Sequence, residues 1–439
     1  MKHISRLAAL TALAVFTLSV SVYAEDDDLF DDTVVDAPSQ TTPSGGTVVS
    51  ADTQSAAQSD IAHGTIFQNG TVKIGGQFDM SLTSLTRFNS EKSAGESIRQ
   101  TVLTPLADAQ FTLDARPSDN LRLFFKGGVH YPYLTESNAS VSSLFTSTNT
   151  EKYMQNLFYV KELFTDFALY DTSYFRFGKQ TITWGTGYFF SPAGNTVNLT
   201  AIDPEDTTKQ VEGPLALRTQ IVFKGTQNCL WLYMIPDSTL FTLNGATYTF
   251  ASDTAFAAKG DVVLGGWELG LAGYYKYARA PKGILTASGT LFNKISTFGE
   301  FVYAYGTDTD WAKSTDWSGK DSVVQATAGL TYTWKEPQIT FAAQYYYDGN
   351  DKDSWDQTTH GHNAAVLVSF AKVGTTDVTA TVYGDFNFGA DISVATAMLY
   401  YSPLNELKLG AGPYVIWYSY DQSPDIAAKL SVTLGGGKF

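Results

Sequence analysis

The chain has 439 residues, with 29 Lys and Arg against 44 Asp and Glu and a formal net charge of −15. This acid excess excludes a nucleic-acid footprint, which is basic, and the single cysteine, Cys229, excludes an intrachain disulfide and a Cys-based metal centre. Charged residues make up only 17% of the chain against about a quarter in soluble domains, while aromatic residues reach 14%, a balance that suits a surface facing lipid.

Residues 1–24 read as a signal peptide. Lys2 and Arg6 form a basic start, Leu7 to Val20 an apolar core, and Val22-Tyr23-Ala24 a cleavage site. The apolar run is short for a transmembrane helix, and no later run approaches the roughly eighteen residues one needs. Residues 25–70 form an acidic leader. Glu25 to Ala62 holds nine acids and no base, with little to bury, so it is expected to be disordered. Losing Lys2 and Arg6 leaves 27 bases against 44 acids, and removing the nine leader acids leaves 35. Over half of the mature net charge therefore sits in the leader.

From residue 71 to 439 the chain alternates apolar with small or polar residues. The pattern predicts eighteen strands at 71–82, 102–115, 120–131, 157–170, 173–184, 215–225, 228–235, 254–264, 267–278, 282–292, 295–305, 322–334, 337–347, 362–371, 376–387, 391–401, 406–418 and 427–438. In the clearest, Val324, Ala326, Ala328, Leu330, Tyr332 and Trp334 share one phase, and Gln325, Thr327, Gly329, Thr331 and Thr333 take the other. A period of two puts the sets on opposite faces, and the length exceeds the five or six residues of an ordinary strand. It fits a strand that crosses a bilayer with an apolar face to lipid and a polar face to a lumen.

Connections alternate as well. "RPSD", "DT", "GTQ", "GG", "FNK", "KE", "VGTT" and "PLNE" are short, whereas 132–156, 185–214, 236–253, 306–321 and 348–361 are long and polar. The link at 388–390 is the exception, short where a long one is expected. The expected fold is all-β: a closed antiparallel transmembrane β-barrel of 16–18 strands, eighteen by the best count, with both termini periplasmic. Closure satisfies every backbone group in lipid and leaves no edge.

The segment 160–199, "VKELFTDFALYDTSYFRFGKQTITWGTGYFFSPAGNTVNL", resembles a motif of bacterial outer-membrane porin-like barrels, relatives of alginate-export-type channels. In those families an acidic strand leads by a tight turn to an "R-x-G-[KR]-Q-x-I-x-W-G" strand and then to a loop with "F-x-P" and Asn. The matching positions are Glu162, Asp166, Arg176, Gly178, Lys179, Gln180, Ile182, Trp184, Gly185, Phe190, Pro192 and Asn198. The resemblance covers about forty residues and implies the barrel; it does not identify a solute.

Pairing across "YDTS" with numbers summing near 342 sets Asp166 opposite Arg176 and Glu162 opposite Gln180, all on one face. Arginine at mid-depth on a lipid face costs about 2–4 kcal/mol, so that face is expected to be the lumen. Arg218, Gln220 and Lys224 share a phase on the next strand. Two outcomes stand: a transverse field across the pore, or charges that satisfy one another. Lys259, Glu268, Lys276 and Glu300 complete the lumen candidates. Loop 185–214 mixes rings with Gly, Pro and Asn, and is expected to fold inward as a constriction, with Trp184, Tyr188, Phe189, Phe190 and Asn198 as its candidate residues; packing over the barrel mouth is the alternative.

Rings near strand ends, such as Trp231 and Tyr233, Trp267, Tyr274 to Tyr277, Tyr303, Tyr305, Trp334, Tyr345 to Tyr347, Tyr400, Tyr401 and Trp417, suggest aromatic girdles. Phe439 resembles the terminal aromatic read by the barrel-assembly machinery. It is out of phase with Leu430, Val432 and Leu434, so either a bulge near Gly435-Gly436-Gly437 shifts the phase or the signal is weak. No nucleophile elbow or Ser-His-acid order is present. His130 is the one histidine near a strand end that a surface hydrolase could use. His360 and His362 lack a third metal ligand, and "DGNDKD" (348–353) does not have Gly and Glu at the positions a calcium loop needs. The expected function is a passive porin for small hydrophilic solutes, without enzyme activity, metal or cofactor, working in outer-membrane lipid and open to homo-oligomerisation. The alternatives are a surface adhesin or structural barrel, and a transporter of hydrophobic, fatty-acid-type substrates.

Overall fold

The computed structural model describes residues 67–68, 71–87, 100–131, 158–169, 172–207, 209–237, 248–350, 361–373, 377–388, 393–404, 407–417 and 424–438. Eighteen antiparallel strands form the wall. They are β1 (Val72–Arg87), β2 (Gln100–Ser118), β3 (Leu121–Tyr131), β4 (Phe158–Leu169), β5 (Ser173–Lys179) and β6 (Leu215–Val222). Next come β7 (Cys229–Pro236), β8 (Thr254–Leu264), β9 (Trp267–Tyr275), β10 (Lys282–Leu291), β11 (Ile295–Tyr305) and β12 (Ser322–Trp334). The last six are β13 (Ile339–Asp348), β14 (His362–Phe370), β15 (Val378–Asn387), β16 (Ser393–Leu404), β17 (Leu407–Trp417) and β18 (Asp425–Lys438). Each pairs with its neighbour in sequence, and β18 pairs with β1 from Ala427↔Arg87 to Lys438↔Gln77, which closes the ring.

Every predicted strand corresponds to one of these, and the best count of eighteen holds. The first and last wall residues lie on one rim, the rim of the short turns, because an even number of antiparallel strands returns the chain to its starting side. The signal peptide, the leader to residue 66, Phe439, His360 and the loops 88–99, 132–157 and 351–360 lie outside the described residues. Phe67–Gln68 is a short addition to the expected barrel start, pairing back on Lys73 and Ile74.

The outward phase is apolar and exposed: Leu271 (66%), Leu285 (50%), Leu399 (58%) and Leu430 (53%) all project from the wall. Left in water, so continuous a patch would drive aggregation; it is the belt of a barrel that sits in lipid. Trp334 and Tyr401 are exposed near the short-turn rim and Tyr303, Tyr345 and Tyr275 near the other, as girdles require. Trp231 and Tyr233 do not belong to a girdle. They share the phase of Arg218 and Lys259 and point inward, because their register partners Gln220, Lys259 and Arg218 do. Of the two alternatives for the C-terminal strand, the structure shows the bulge, between Gly435 and Gly437. It brings Gly437 opposite Phe78, whose ring is exposed on the outer face.

Candidate functional site

Beyond Lys179 the chain leaves the wall. The predicted strand 173–184 stops five residues early, so Gln180 does not pair with Glu162. Instead the Gln180 side chain is fully buried, its Nε2 donating to Ala216 O at 3.0 Å. Glu162 receives a long contact from Thr181 N at 3.4 Å. The freed segment enters the barrel. Helix α1 (Pro192–Val197) lies within it, capped by Ser191, whose hydroxyl accepts from Gly194 N.

Two side chains on the far wall hold this segment. Glu300 on β11 accepts from Thr186 N (2.6 Å), Gly187 N (2.7 Å) and Ala193 N (2.9 Å), and from the Ser191 hydroxyl at 3.0 and 3.2 Å. Gln344 on β13 accepts from Tyr188 N, Phe189 N and Phe190 N at 3.0, 2.6 and 3.2 Å, and donates to Phe190 O and the Thr327 hydroxyl at 2.6 Å. β11 and β13 stand six and eight places round the ring from β5, so the loop crosses the lumen. A loop in water would satisfy these amides with solvent; here two wall side chains do so. The backbone comes so close that a Cβ on Gly185 would lie 1.7 Å from Ser191 Oγ and one on Gly187 1.9 Å from Phe190 O.

Apolar packing reinforces the polar clamp. Ile182, Trp184 (1% exposed), Ala193 and Val197 form one cluster with Ala216, Tyr233, Ile235, Ala255, Ala257, Ala272, Ile284 and Val302. These wall residues all point inward, from β6 to β11. Farther round, Phe189 packs with Ala342, Ala365 and Tyr383, and Phe190 stacks on Tyr346 at 5.5 Å. Glu205 then reaches β17 and β18, accepting from the Tyr414 hydroxyl at 2.5 Å and lying 3.5 Å from Lys429 Nζ. The returning limb is tied to the outgoing one by Asn198, which bridges Ile182 N, Ile182 O and Gly194 O at 2.9, 2.7 and 3.1 Å. Lys179 pairs with Glu212 at the loop's base.

The charged lumen candidates meet different surroundings. Asp166 pairs with Arg176 as expected, Nε and Nη2 donating to its two oxygens at 2.6 and 2.9 Å. Arg122 joins them from β3, forking onto Asp114 at 2.9 Å and lying 3.6 Å from Asp166. Both guanidiniums lie over the Phe164 ring, Arg176 at 3.8 Å. This row is self-satisfied. Arg218 stands opposite Arg176 and over Trp231 at 5.1 Å, with no carboxylate in ion-pair reach among the described residues. Gln220 lies beside it in phase, opposite Tyr174 and Trp231.

Lys259 pairs with Asp261 at 2.9 Å, and Asp261 accepts from Trp231 Nε1 at 2.8 Å. Glu300 faces inward but is wholly engaged by the loop. The remaining three sit at the rims. Lys224 is on the exposed turn after β6, which ends at Val222, so it is not a lumen residue. Glu268 is exposed beside the 265–266 turn, and Lys276, just past β9, pairs with Asp237 at 2.9 Å. His130 rests against Asp108 at 3.3 Å and stacks on Tyr159, and no cluster of three or more His, Cys, Asp or Glu suited to a metal occurs among the described residues.

Gln344, Ser191, Glu205 and the apolar inner patch escaped the sequence reading. One signal was present: on β8 to β11 the inward phase carries Ala255, Ala257, Ala272, Ile284 and Val302, so those strands are apolar on both faces at that level. A water-filled lumen does not need that; a packed loop does.

Fold and loop together define the class: a closed eighteen-strand barrel of the outer-membrane type with a loop folded across its interior. No family model matches the chain, and no curated protein matches it. Among solved structures it is similar to a BenF-like porin from Pseudomonas fluorescens Pf-5, at 7% identity and a TM-score of 0.49, over 82% of this chain and 98% of that one. It is also similar to OccK9 (OpdG) of Pseudomonas aeruginosa, at 10% identity and 0.46, over 82% and 98%. A third is the outer membrane channel DcaP of Acinetobacter baumannii, at 10% identity and 0.43, over 84% and 99%.

Proposed function

We propose that the protein is a passive outer-membrane channel for small hydrophilic solutes, narrowed by the loop 185–214. The observation that carries this reading is the clamp of Glu300 and Gln344 on that loop, which fixes a constriction inside the barrel. A structural anchor has no need of a loop locked across its interior, and selection by pore width and lining charge is how such barrels discriminate. In this reading the signal peptide 1–24 exports the chain, and the short-turn rim with both termini faces the periplasm. Phe439 engages the barrel-assembly machinery. The segment that resembles alginate-export-type barrels builds the Asp166–Arg176 pair and launches the constriction loop, whatever the solute.

The selectivity function falls to the lining around Arg218. The neighbouring acids and bases neutralise one another, which favours a rigid wall over a broad transverse field, and Arg218 remains as an uncompensated positive charge. The test is conductance of the refolded chain in a planar bilayer. Unitary current steps of constant size are expected; a silent membrane from correctly folded barrel would overturn the channel reading and favour the adhesin.

A further inference from the structure

At the long-loop rim, a cavity of about 420 Å3 opens on the inner side of β10, β11 and β12. Its lining includes Lys282, Thr307, Asp308, Thr309, Gln325 and Asn350. Lys282 is in the inward phase of β10, with Ile284 and Thr286, and its Cα partners are Tyr274 and Ala304. The loop 306–321 that roofs the cavity is built rather than loose. Helix α3 (Asp308–Lys313; α2 is Phe250–Asp253) carries a capping box between Thr307 and Asp310. Trp311 Nε1 donates to Tyr305 O at 2.6 Å, and Lys320 Nζ donates to Ser314 O at 2.8 Å.

Two cations, Arg279 and Lys282, and two carboxylates, Asp308 and Asp348, stand around the cavity, but both carboxylates are engaged by other partners. Asp308 accepts from Ala280 N at 3.0 Å and pairs with Arg279 at 3.2 Å. Asp348, behind the lining, accepts from Gln325 Nε2 at 2.9 Å and from Asn350 N and Nδ2 at 3.0 and 2.9 Å. Lys282 makes no ion pair or hydrogen bond among the described residues. An ammonium held partly out of water without a partner is costly, and a carboxylate or phosphate oxygen is its natural complement.

We propose that this cavity is a vestibular binding site for a small solute with an oxyanion head, held by the Lys282 ammonium before it meets the constriction. Thr309, exposed on the roof, offers a hydroxyl, and Ala280, Ala304 and Gly306 provide a small apolar floor for the rest of the solute. The proposal rests on the channel reading, but its test does not depend on conductance.

The full chain, refolded in detergent micelles and checked for heat-modifiable gel mobility, is titrated calorimetrically with sodium glutarate and with inorganic phosphate; glycerol is the uncharged control. Saturable binding of at least one anion is expected, with glycerol giving none, and the two titrations tell a carboxylate site from a phosphate site. Lys282→Met should weaken binding by about tenfold or more, as loss of a charge-assisted hydrogen bond implies, and Lys282→Arg should retain it. Thr309→Asp, which sets a competing carboxylate on the exposed roof, should weaken it too and serves if Lys282→Met does not fold. Wild-type protein that binds neither anion, or variants that bind as wild type does, would overturn the site while leaving the channel reading intact.

Discussion

Replacing Glu300 with alanine should release the segment 185–194 from the wall. Four donors lose their acceptor: three backbone N–H groups and the Ser191 hydroxyl. A hydrogen bond to a charged group contributes about 1.5–3 kcal/mol, and such contributions are not additive at one carboxylate. Allowing for that, docking weakens by roughly 3–6 kcal/mol, or about a hundred- to ten-thousandfold in the docked-to-released ratio. The flanking apolar contacts of Trp184 and Phe189, both essentially unexposed, oppose full departure, so the release is local. In single-channel records the Glu300→Ala protein should show added open-channel noise and larger conductance levels, and limited proteolysis should cut between 185 and 194. Glu300→Gln should be intermediate, because an amide has one acceptor oxygen and would set an N–H₂ against other donors. A folded Glu300→Ala barrel with the wild-type conductance, quiet current and an uncut loop would refute the clamp.

Gly185→Ala should produce a similar but milder loosening, since its Cβ would sit 1.7 Å from Ser191 Oγ and 2.8 Å from Glu300 Oε1; current noise checks it. Arg176→Met should lower barrel stability by about 2–4 kcal/mol in urea titrations, toward the low end for broken buried pairs because Asp166 stays 25% exposed. Arg176→Lys should recover part of that but not the fork. Arg218→Gln should move the reversal potential in a KCl gradient toward greater cation preference, since it removes an uncompensated lumen charge; an unchanged potential would deny Arg218 a role in selection.

How far the site was legible follows from the range of each interaction. Asp166 opposite Arg176 could be placed because a short connection sets the register and the register sets the face. Gln180 and Glu162 failed as a pair because the same arithmetic assumes the strand continues, and nothing in the period reports where a chain leaves its wall. Lys224 failed similarly: its phase was right, but β6 ends two residues earlier. Glu300 was correctly assigned to the inner face and misread in use. An isolated inward carboxylate looks like a selectivity charge until the loop amides that surround it, more than a hundred residues away in the chain, are known.

Alternation of side chains and of connection lengths determined the barrel, its outer face and a strand number of 16–18, because a period of two and a closed hydrogen-bond ladder are local constraints repeated along the chain. The path of the loop was decided only by tertiary structure. It depends on Glu300, Gln344, Tyr414 and Lys429 meeting a segment that starts on the opposite side of the ring, and such encounters leave no period to read. The one trace they leave is the apolar inner phase of β8 to β11, where a wall expected to meet water instead meets Ile182, Trp184 and Val197.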